Sequence, residues 1–138
     1  MSNRVVVVPP GEGTRIGRVE FLARTADSPR FNVSIFEVIP GSDGAAFHAH
    51  DDEDDAFFVL SGELTIELAD TLVAAGPETF VLVPPGVGHA FSNRGSESVR
   101  VLNIHAPAGF DLSLARRLAS PERHAQMPIN EMEQETLP

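Results

Sequence analysis

This sequence of 138 residues contains no cysteine, no tyrosine and no tryptophan. Without cysteine there can be no disulfide, no thiolate metal ligand and no cysteine nucleophile, which fits a cytoplasmic protein. Without tyrosine and tryptophan there is no phenolic acid and no indole donor. Carboxylates and histidines are therefore the candidates for any proton transfer.

Basic residues and long apolar runs are also scarce. The chain has 10 Lys and Arg against 20 Asp and Glu, a formal charge of −10 that would repel phosphate backbones. The apolar run Val5–Val8 is far too short for a signal peptide or a membrane span. We therefore expect no nucleic-acid partner, no membrane partner and a cytoplasmic location.

The remaining composition is that of one globular domain, residues 1–138. Hydrophobic residues make up 42% of the chain, and 11 glycines and 11 prolines are typical of many short strands joined by tight turns. Residues 63–68 alternate between apolar and polar side chains, and residues 72–75 are expected to pair with them as a hairpin. Four further regions are predicted to contain strands: 5–8, 15–23, 31–39 and 99–105. Residues 80–83 form another short candidate before a Pro-Pro-Gly turn.

These strands indicate an all-β antiparallel sandwich or barrel. After residue 109 the period changes, because Phe110, Leu114 and Leu118 recur every four residues, which predicts a short amphipathic helix. A second helix start is expected at Ser120, and the acidic residues 129–138 are predicted to form a tail.

A histidine pair dominates the middle of the chain. His48 and His50 are two residues apart, so in a strand both imidazoles leave from one face. Asp55 begins the next apolar run, and a strand starting there could return its carboxylate to the pair. His89, after a proline–glycine turn, offers a third imidazole. Three imidazoles and one carboxylate would make a mixed nitrogen and oxygen metal site.

Two spaced motifs of this chain resemble those of the cupin superfamily, one with two histidines, an acid and a glycine, the other with a proline, a glycine, a histidine and an asparagine. They are His48, His50, Asp55 and Gly62, then Pro84, Gly86, His89 and Asn93. The resemblance covers about residues 31–107. It implies a single-domain double-stranded β-helix, the jelly-roll cupin barrel, with a metal inside it. Residues 110–138 would form the C-terminal helix and tail.

The sequence departs from the family pattern at two positions. The acid is usually glutamate, whereas Asp55 is one methylene shorter, so three histidines and water remain an alternative ligand set. Glu53 and Asp54 are neighbouring candidates, Asp54 with the wrong strand parity. Glu78 stands where a glycine is usual, which concerns a turn. Some cupins have lost their metal, and a metal-free barrel is the competing interpretation.

Imidazole and carboxylate ligands suit one divalent transition metal, which could be Fe, Mn, Ni, Co, Cu or Zn. Five side chains are predicted to line a substrate pocket beside that metal, from their strand parity: Phe57, Val59, Phe91, Asn103 and His105. Plain core packing is the alternative for each phenylalanine, and solvent exposure for His105.

The local sequence around Asp55 is similar to that of quercetin-dioxygenase-like cupins. That resemblance implies a small aromatic or enediol-type substrate bound at the metal, O₂ as co-substrate, and Asp55 as both ligand and catalytic base. Two alternatives stay open: a non-redox metal enzyme (isomerase, cyclase or decarboxylase), and a non-catalytic small-molecule-binding module. A homodimer is expected, because small barrels expose sheet edges that pairing can cover.

Overall fold

The computed structural model describes residues 4–42 and 44–119. The strands are β1 (Thr14–Ile16), β2 (Val19–Ala23), β3 (Asn32–Val38), β4 (Asp54–Ser61), β5 (Leu64–Glu67), β6 (Leu72–Ala75), β7 (Phe80–Val83), β8 (Ala90–Ser92) and β9 (Val99–Ala106), and the helix is α1 (Phe110–Leu118). They form a six-stranded sheet in the order β1-β2-β3-β9-β4-β7 and a three-stranded sheet in the order β6-β5-β8.

Every strand pairing within these sheets is antiparallel. The core consists of inward side chains of both sheets, with Phe57 of β4, Val101 of β9 and Leu64 of β5 fully buried. Their alternation with less buried neighbours follows the two-residue period of a strand. The predicted all-β jelly roll with a short C-terminal helix is confirmed.

The inward face of β3, which sequence alone left unassigned, carries Asn32, Ser34, Phe36 and Val38. Both faces of this strand carry apolar residues, because its outward Val33 and Ile35 belong to an apolar region on the outer face of the six-stranded sheet. Two rows of side chains cross β3, β9, β4 and β7 there: Ile35, Leu102, Phe58 and Phe80, then Val33, Ile104, Ala56 and Leu82. An antiparallel sheet with one solvated face normally alternates apolar and polar residues. In these two rows the outward side chains are apolar instead, so the alternation is missing.

Helix α1 is attached to the barrel by buried polar contacts. The Asn32 side chain accepts hydrogen bonds from the backbone N–H groups of Gly109 and Phe110, at 3.0 and 2.9 Å. Asp111 accepts one from the backbone N–H of Thr25 at 3.0 Å. The two bonds to Asn32 satisfy N–H groups that the first turn of a helix leaves without intrahelical partners, and the Asp111 bond ties the helix to the segment after β2. They place Phe110 against the inside of the barrel.

Several predicted elements differ in detail from the structure. Val5–Val8 is not a strand, so that prediction is wrong; Val5 and Val7 are 88% and 80% exposed. The region 15–23 contains a hairpin of β1 and β2 around Gly17, not one strand. No helix among the described residues is long and apolar enough to cross a membrane. The predicted second helix start at Ser120 and the tail 129–138 lie outside the described residues.

Two of the turn positions with left-handed backbone concern the family pattern. Gly62, the glycine of the first motif, has φ of 80°, and a Cβ there would lie 2.7 Å from the carbonyl oxygen of Ser98. Glu78 has φ of 65° and is the one non-glycine residue with positive φ in the described part of the chain. Glu78 therefore forms the left-handed turn for which the family pattern has glycine, and its backbone is strained because it carries a side chain.

Replacing Glu78 with glycine should stabilise the protein. Its side chain is exposed, so relief of left-handed strain, partly offset by glycine entropy, should raise the unfolding free energy by about 0.5–1 kcal/mol. Urea unfolding followed by circular dichroism measures this. The reverse change at Gly62, to alanine, should lower it by at least about 1 kcal/mol, because strain and a close contact both oppose Cβ. Equal stability of Glu78→Gly and the wild type would contradict the strain argument.

Candidate metal centre

Backbone pairing brings the two histidine motifs together. The amide of His48 donates to the carbonyl of His89 at 2.9 Å, and the amide of His89 returns the bond to His48 at 2.8 Å. Two residues after His48, the carbonyl of His50 accepts a hydrogen bond from the amide of Gly86 at 2.7 Å. Asp55 enters from β4 on the neighbouring sheet, where it is flanked by Val83 of β7 and by β9. Segments far apart in sequence thus meet at one point.

Three imidazoles and one carboxylate converge there. One ligand atom from each of His48, His50, Asp55 and His89 lies within 4.8 Å of all the others. The Nε2 atoms of His48 and His50 are 3.2 Å apart, and Oδ2 of Asp55 is 3.0 Å from Nε2 of His89 and 3.4 Å from Nε2 of His50. The structure brings together all four residues of the predicted ligand set.

The outward nitrogen of each histidine faces an acceptor. Nδ1 of His48 lies 2.7 Å from the carbonyl of Ala46, and Nδ1 of His89 lies 3.0 Å from that of Val87. Nδ1 of His50 lies 3.5 Å from the Glu53 carboxylate. A carbonyl can only accept, so His48 and His89 carry their proton on Nδ1, a tautomer assigned from these contacts. In the neutral rings Nε2 then presents a lone pair to the centre.

This tautomer pattern suits the binding of a metal ion. Lone pairs on neighbouring Nε2 atoms, opposite a carboxylate oxygen, repel one another unless a cation or a proton lies between them. Outer hydrogen bonds that fix the ring tautomer are what metal-ligating histidines have in proteins. Burial lowers the pKa of His48, which favours the neutral form that a metal needs. The residues present fit a divalent cation.

Asp55 is fully buried and remains charged. Burial alone would raise its pKa, but the contacts of Oδ2 with the His50 and His89 rings and of Oδ1 with the Asn103 amide hold the pKa well below its usual range. The contact with Asp55 is also the main cause of the raised pKa of His50. A buried carboxylate without a cation partner would be costly, since desolvation penalises the charged form.

His105 and Asn103 of β9 lie directly behind Asp55. The Asn103 amide donates to Oδ1 of Asp55 at 2.7 Å and to the carbonyl of Ala56 at 2.9 Å. Nε2 of His105 is 3.4 Å from the same Oδ1, and the ring stacks on Phe110 at 4.5 Å. Neither ring nitrogen of His105 has a hydrogen-bond partner among the described residues. Burial lowers the pKa of His105 to about 4, so the ring is neutral at pH 7.

The predicted pocket residues are all buried, but they lie at different depths. The ring of Phe57 meets that of His89 edge-on at 6.3 Å, so it borders the centre. Phe91 packs on Phe57 and Phe36, and Val59 is part of the same core cluster. Their contact with a substrate stays a prediction. His48 and His50 are only half-buried, which leaves that side of the centre open to solvent.

Sequence reasoning missed the residues that orient the histidines. Ala46 and Val87 act through backbone carbonyls, which every residue type carries, so no sequence signal could have identified them. Glu53 was considered as an alternative ligand, yet in the structure it faces the outward nitrogen of His50. Asp54 is exposed and points away from the centre, as its strand parity predicted.

The chain belongs to the cupin family. It matches the family described as Cupin_2, Cupin domain, over residues 34–105, more than half of the chain. That range contains all four converging residues, so the candidate metal centre lies within the part of the chain that matches the family. A search of curated proteins finds no match.

Solved structures with the same fold include three with different names. TT1209 from Thermus thermophilus is 18% identical, with a TM-score of 0.61 over 76% of this chain and 100% of its own. KdgF from Halomonas sp. is 19% identical, with a TM-score of 0.59 over 68% and 81%. A protein from Acidithiobacillus ferrooxidans, named provisionally as a sugar phosphate isomerase, is 26% identical, with a TM-score of 0.59 over 64% of this chain and 57% of its own.

The depressed pKa of His105 predicts acid sensitivity of the metal-free protein. The unfolded chain binds this proton near the ordinary pKa of 6.5 and the folded chain only near 4, so stability is lost as pH falls between these values. The loss from this residue should approach about 3 kcal/mol at the acid end.

Urea unfolding of chelator-treated wild type and His105→Gln, from pH 7 to pH 4, measures this loss. The variant should show the shallower pH dependence, since the other histidines titrate in both proteins. Parallel curves would show that His105 is not held neutral by burial.

Proposed function

We propose that this protein is a metal-dependent dioxygenase of the quercetin-dioxygenase-like type, acting on a small aromatic or enediol-type compound with O₂ as co-substrate. The observation that carries the proposal is the convergence of three Nε2 atoms and Oδ2 of Asp55, with the histidine tautomers fixed by outward acceptors. The half-buried side at His48 and His50 would leave room for a substrate to approach.

His48, His50, His89 and Asp55 would hold the ion. When bound, a divalent transition metal lowers the pKa of a coordinated hydroxyl and makes electron transfer to or from the substrate accessible. Asp55 would accept the substrate proton, the catalytic role that the family resemblance implies. It is a weak base because its pKa is depressed, and a weak base suffices once the acidity of the substrate hydroxyl has been raised.

The surrounding residues would bind and shield the substrate. Phe57 borders the centre with an aromatic edge, which suits a flat organic ligand and excludes water. Oδ1 of Asn103 and the ring nitrogens of His105 are buried polar atoms with no partner among the described residues. Such atoms cost about 1–3 kcal/mol each when left unpaired. A hydroxyl-bearing substrate would supply Oδ1 of Asn103 with a partner.

Oxygen uptake by the metal-loaded protein tests this proposal. Metal content is first measured on protein purified without added metal or chelator. Wild type should then consume O₂ with a flavonol or catechol, and chelation should abolish the uptake. His48→Ala should lower both metal content and uptake by at least about 100-fold, because loss of a ligand exceeds the 10–100-fold typical of outer-shell residues.

Asp54→Ala is the matched control for Asp55→Ala. Asp54 is the exposed neighbour on the other face of β4, so its removal should leave metal content and uptake unchanged, whereas Asp55→Ala should lower both. Metal-loaded wild type that consumes no O₂ with any flavonol or catechol would sink the dioxygenase assignment.

A second candidate is a non-redox metal isomerase acting on a sugar-like hydroxycarbonyl compound. The neighbour from Acidithiobacillus ferrooxidans favours it, because that protein is 26% identical and is named provisionally as a sugar phosphate isomerase. Such an enzyme needs the metal only to polarise a carbonyl. Turnover under nitrogen with redox-silent zinc would favour the isomerase. Ligand-dependent thermal stabilisation without any turnover would favour a binding module.

We also propose that two copies of the chain pair through the apolar outer face of the six-stranded sheet. Phe80 and Leu82, at the edge of that face, are 57% and 53% exposed. The same chain carries the β-branched run Val5–Val8, which has no backbone hydrogen-bond partner within the described residues. A second copy could cover the outer face and also form backbone hydrogen bonds with Val5–Val8. One partner would then account for both features, which favours a second copy over an unrelated protein.

Light scattering after gel filtration tests the dimer. Wild type should be dimeric, and Phe80→Lys should shift it to monomer, because a charge buried in an apolar interface is costly. Leu72→Lys is the matched control, since Leu72 is 50% exposed but lies on β6 of the other sheet. A monomeric wild type, or a dimer unaffected by Phe80→Lys, would overturn this assembly.

A further inference from the structure

We propose that Asn103 and His105 are positioning residues which hold Asp55 as a one-oxygen ligand, so that this aspartate replaces the glutamate usual in the family. The inference rests on the proposed metal binding and concerns how the carboxylate is aimed. The two carboxylate oxygens of Asp55 have different neighbours. Oδ2 faces His50 and His89, whereas Oδ1 faces Asn103 and His105.

The Asn103 contact is directional. Its amide nitrogen lies 2.7 Å from Oδ1 of Asp55 and 2.9 Å from the carbonyl of Ala56. The reversed amide would place an oxygen against two acceptors in a buried setting, so the N–H groups must point this way. Two acceptors fixed by one amide lock the rotation of the Asp55 side chain. Oδ1 is thereby occupied, and Oδ2 is the oxygen left for an ion.

His105 supports the same oxygen from the other side. It lies directly opposite Asp55 in the β4–β9 pairing, and its Nε2 is 3.4 Å from Oδ1. The ring cannot swing away, since it is 1% exposed and stacks on Phe110 at an interplanar angle of 11°. The pair lacks hydrogen-bond geometry, so a neutral imidazole with its proton on Nε2 would act on the carboxylate through its N–H dipole. Helix α1, through Phe110, therefore contributes to the placement of Asp55.

The short side chain makes this support necessary. Aspartate has one methylene fewer than glutamate, so its carboxylate reaches less far from the strand and small rotations move it out of range of the three histidines. In the structure Oδ2 still comes within 3.0 Å of Nε2 of His89. Hydrogen bonds to a ligating carboxylate are known to tune metal affinity in this way. Without them, three histidines and water would be the remaining ligand set.

Titration with Co²⁺ tests the inference without any assay of activity. Affinity is measured by competition with a chelator, and the visible absorption of bound Co²⁺ reports the ligand set. Asn103→Leu should weaken Co²⁺ binding by about 10–100-fold and change the spectrum toward that of Asp55→Ala. His105→Phe, which preserves the stacking on Phe110, should weaken binding less. His105→Gln retains an N–H donor and should restore wild-type affinity to within about threefold.

A double-mutant cycle separates positioning from general damage to the fold. In an Asp55→Ala background, Asn103→Leu should cause no further loss of affinity, because the residue through which it acts is gone. Ser34→Ala is the matched control: Ser34 is buried directly opposite Asn103 in the β3–β9 pairing, and no hydrogen bond or ion pair joins it to Asp55. It should leave affinity and spectrum unchanged.

The outcomes distinguish this inference from the proposed function. A wild type that binds no Co²⁺ refutes metal binding itself. A wild type that binds, with Asn103→Leu and His105→Phe equal to it in affinity and spectrum, overturns the positioning role and leaves metal binding intact. Additive losses in the double mutant also overturn it. If Asn103→Leu does not fold, His105→Phe and His105→Gln carry the comparison alone.

Discussion

The buried carboxylate of Asp55 is the constraint on which the interior of this barrel depends. It is fully buried on β4, within reach of the ring nitrogens of His50, His89 and His105. A charge in that position must be compensated, by the Asn103 amide and by a cation or proton between the carboxylate and the inward histidine nitrogens. The apolar core beneath, beginning with Phe57, keeps water away and strengthens each of these interactions.

The same carboxylate links fold and site. β4 pairs with both β7 and β9, so Asp55 stands between the two strands that carry Val83 and His105. The two histidine motifs reach it through reciprocal backbone hydrogen bonds between His48 and His89. The fold therefore delivers the ligand atoms through backbone pairing, and side-chain hydrogen bonds make only the last adjustment.

Strand periodicity predicted much of this arrangement. The i and i+2 placement of His48 and His50, and the inward parity of Asp55 and Phe57, needed only the two-residue alternation of a strand. Periodicity failed at Val5–Val8, where β-branched composition suggested a strand but none of the described strands pairs with it. It also left β3 unassigned, because an outer face that is itself apolar removes the contrast on which such predictions rely.

Sequence by itself determined the class of fold and the identity of the converging residues, because alternation and motif spacing are local properties of the chain. Tertiary structure decided which ring nitrogen faces inward, which carboxylate oxygen is engaged by Asn103, and that Glu53 lies behind His50. Those features depend on backbone carbonyls and on contacts between strands distant in sequence. No local pattern encodes them, since the carbonyls of Ala46 and Val87 are shared by every residue type and acquire a role only where the chain folds back.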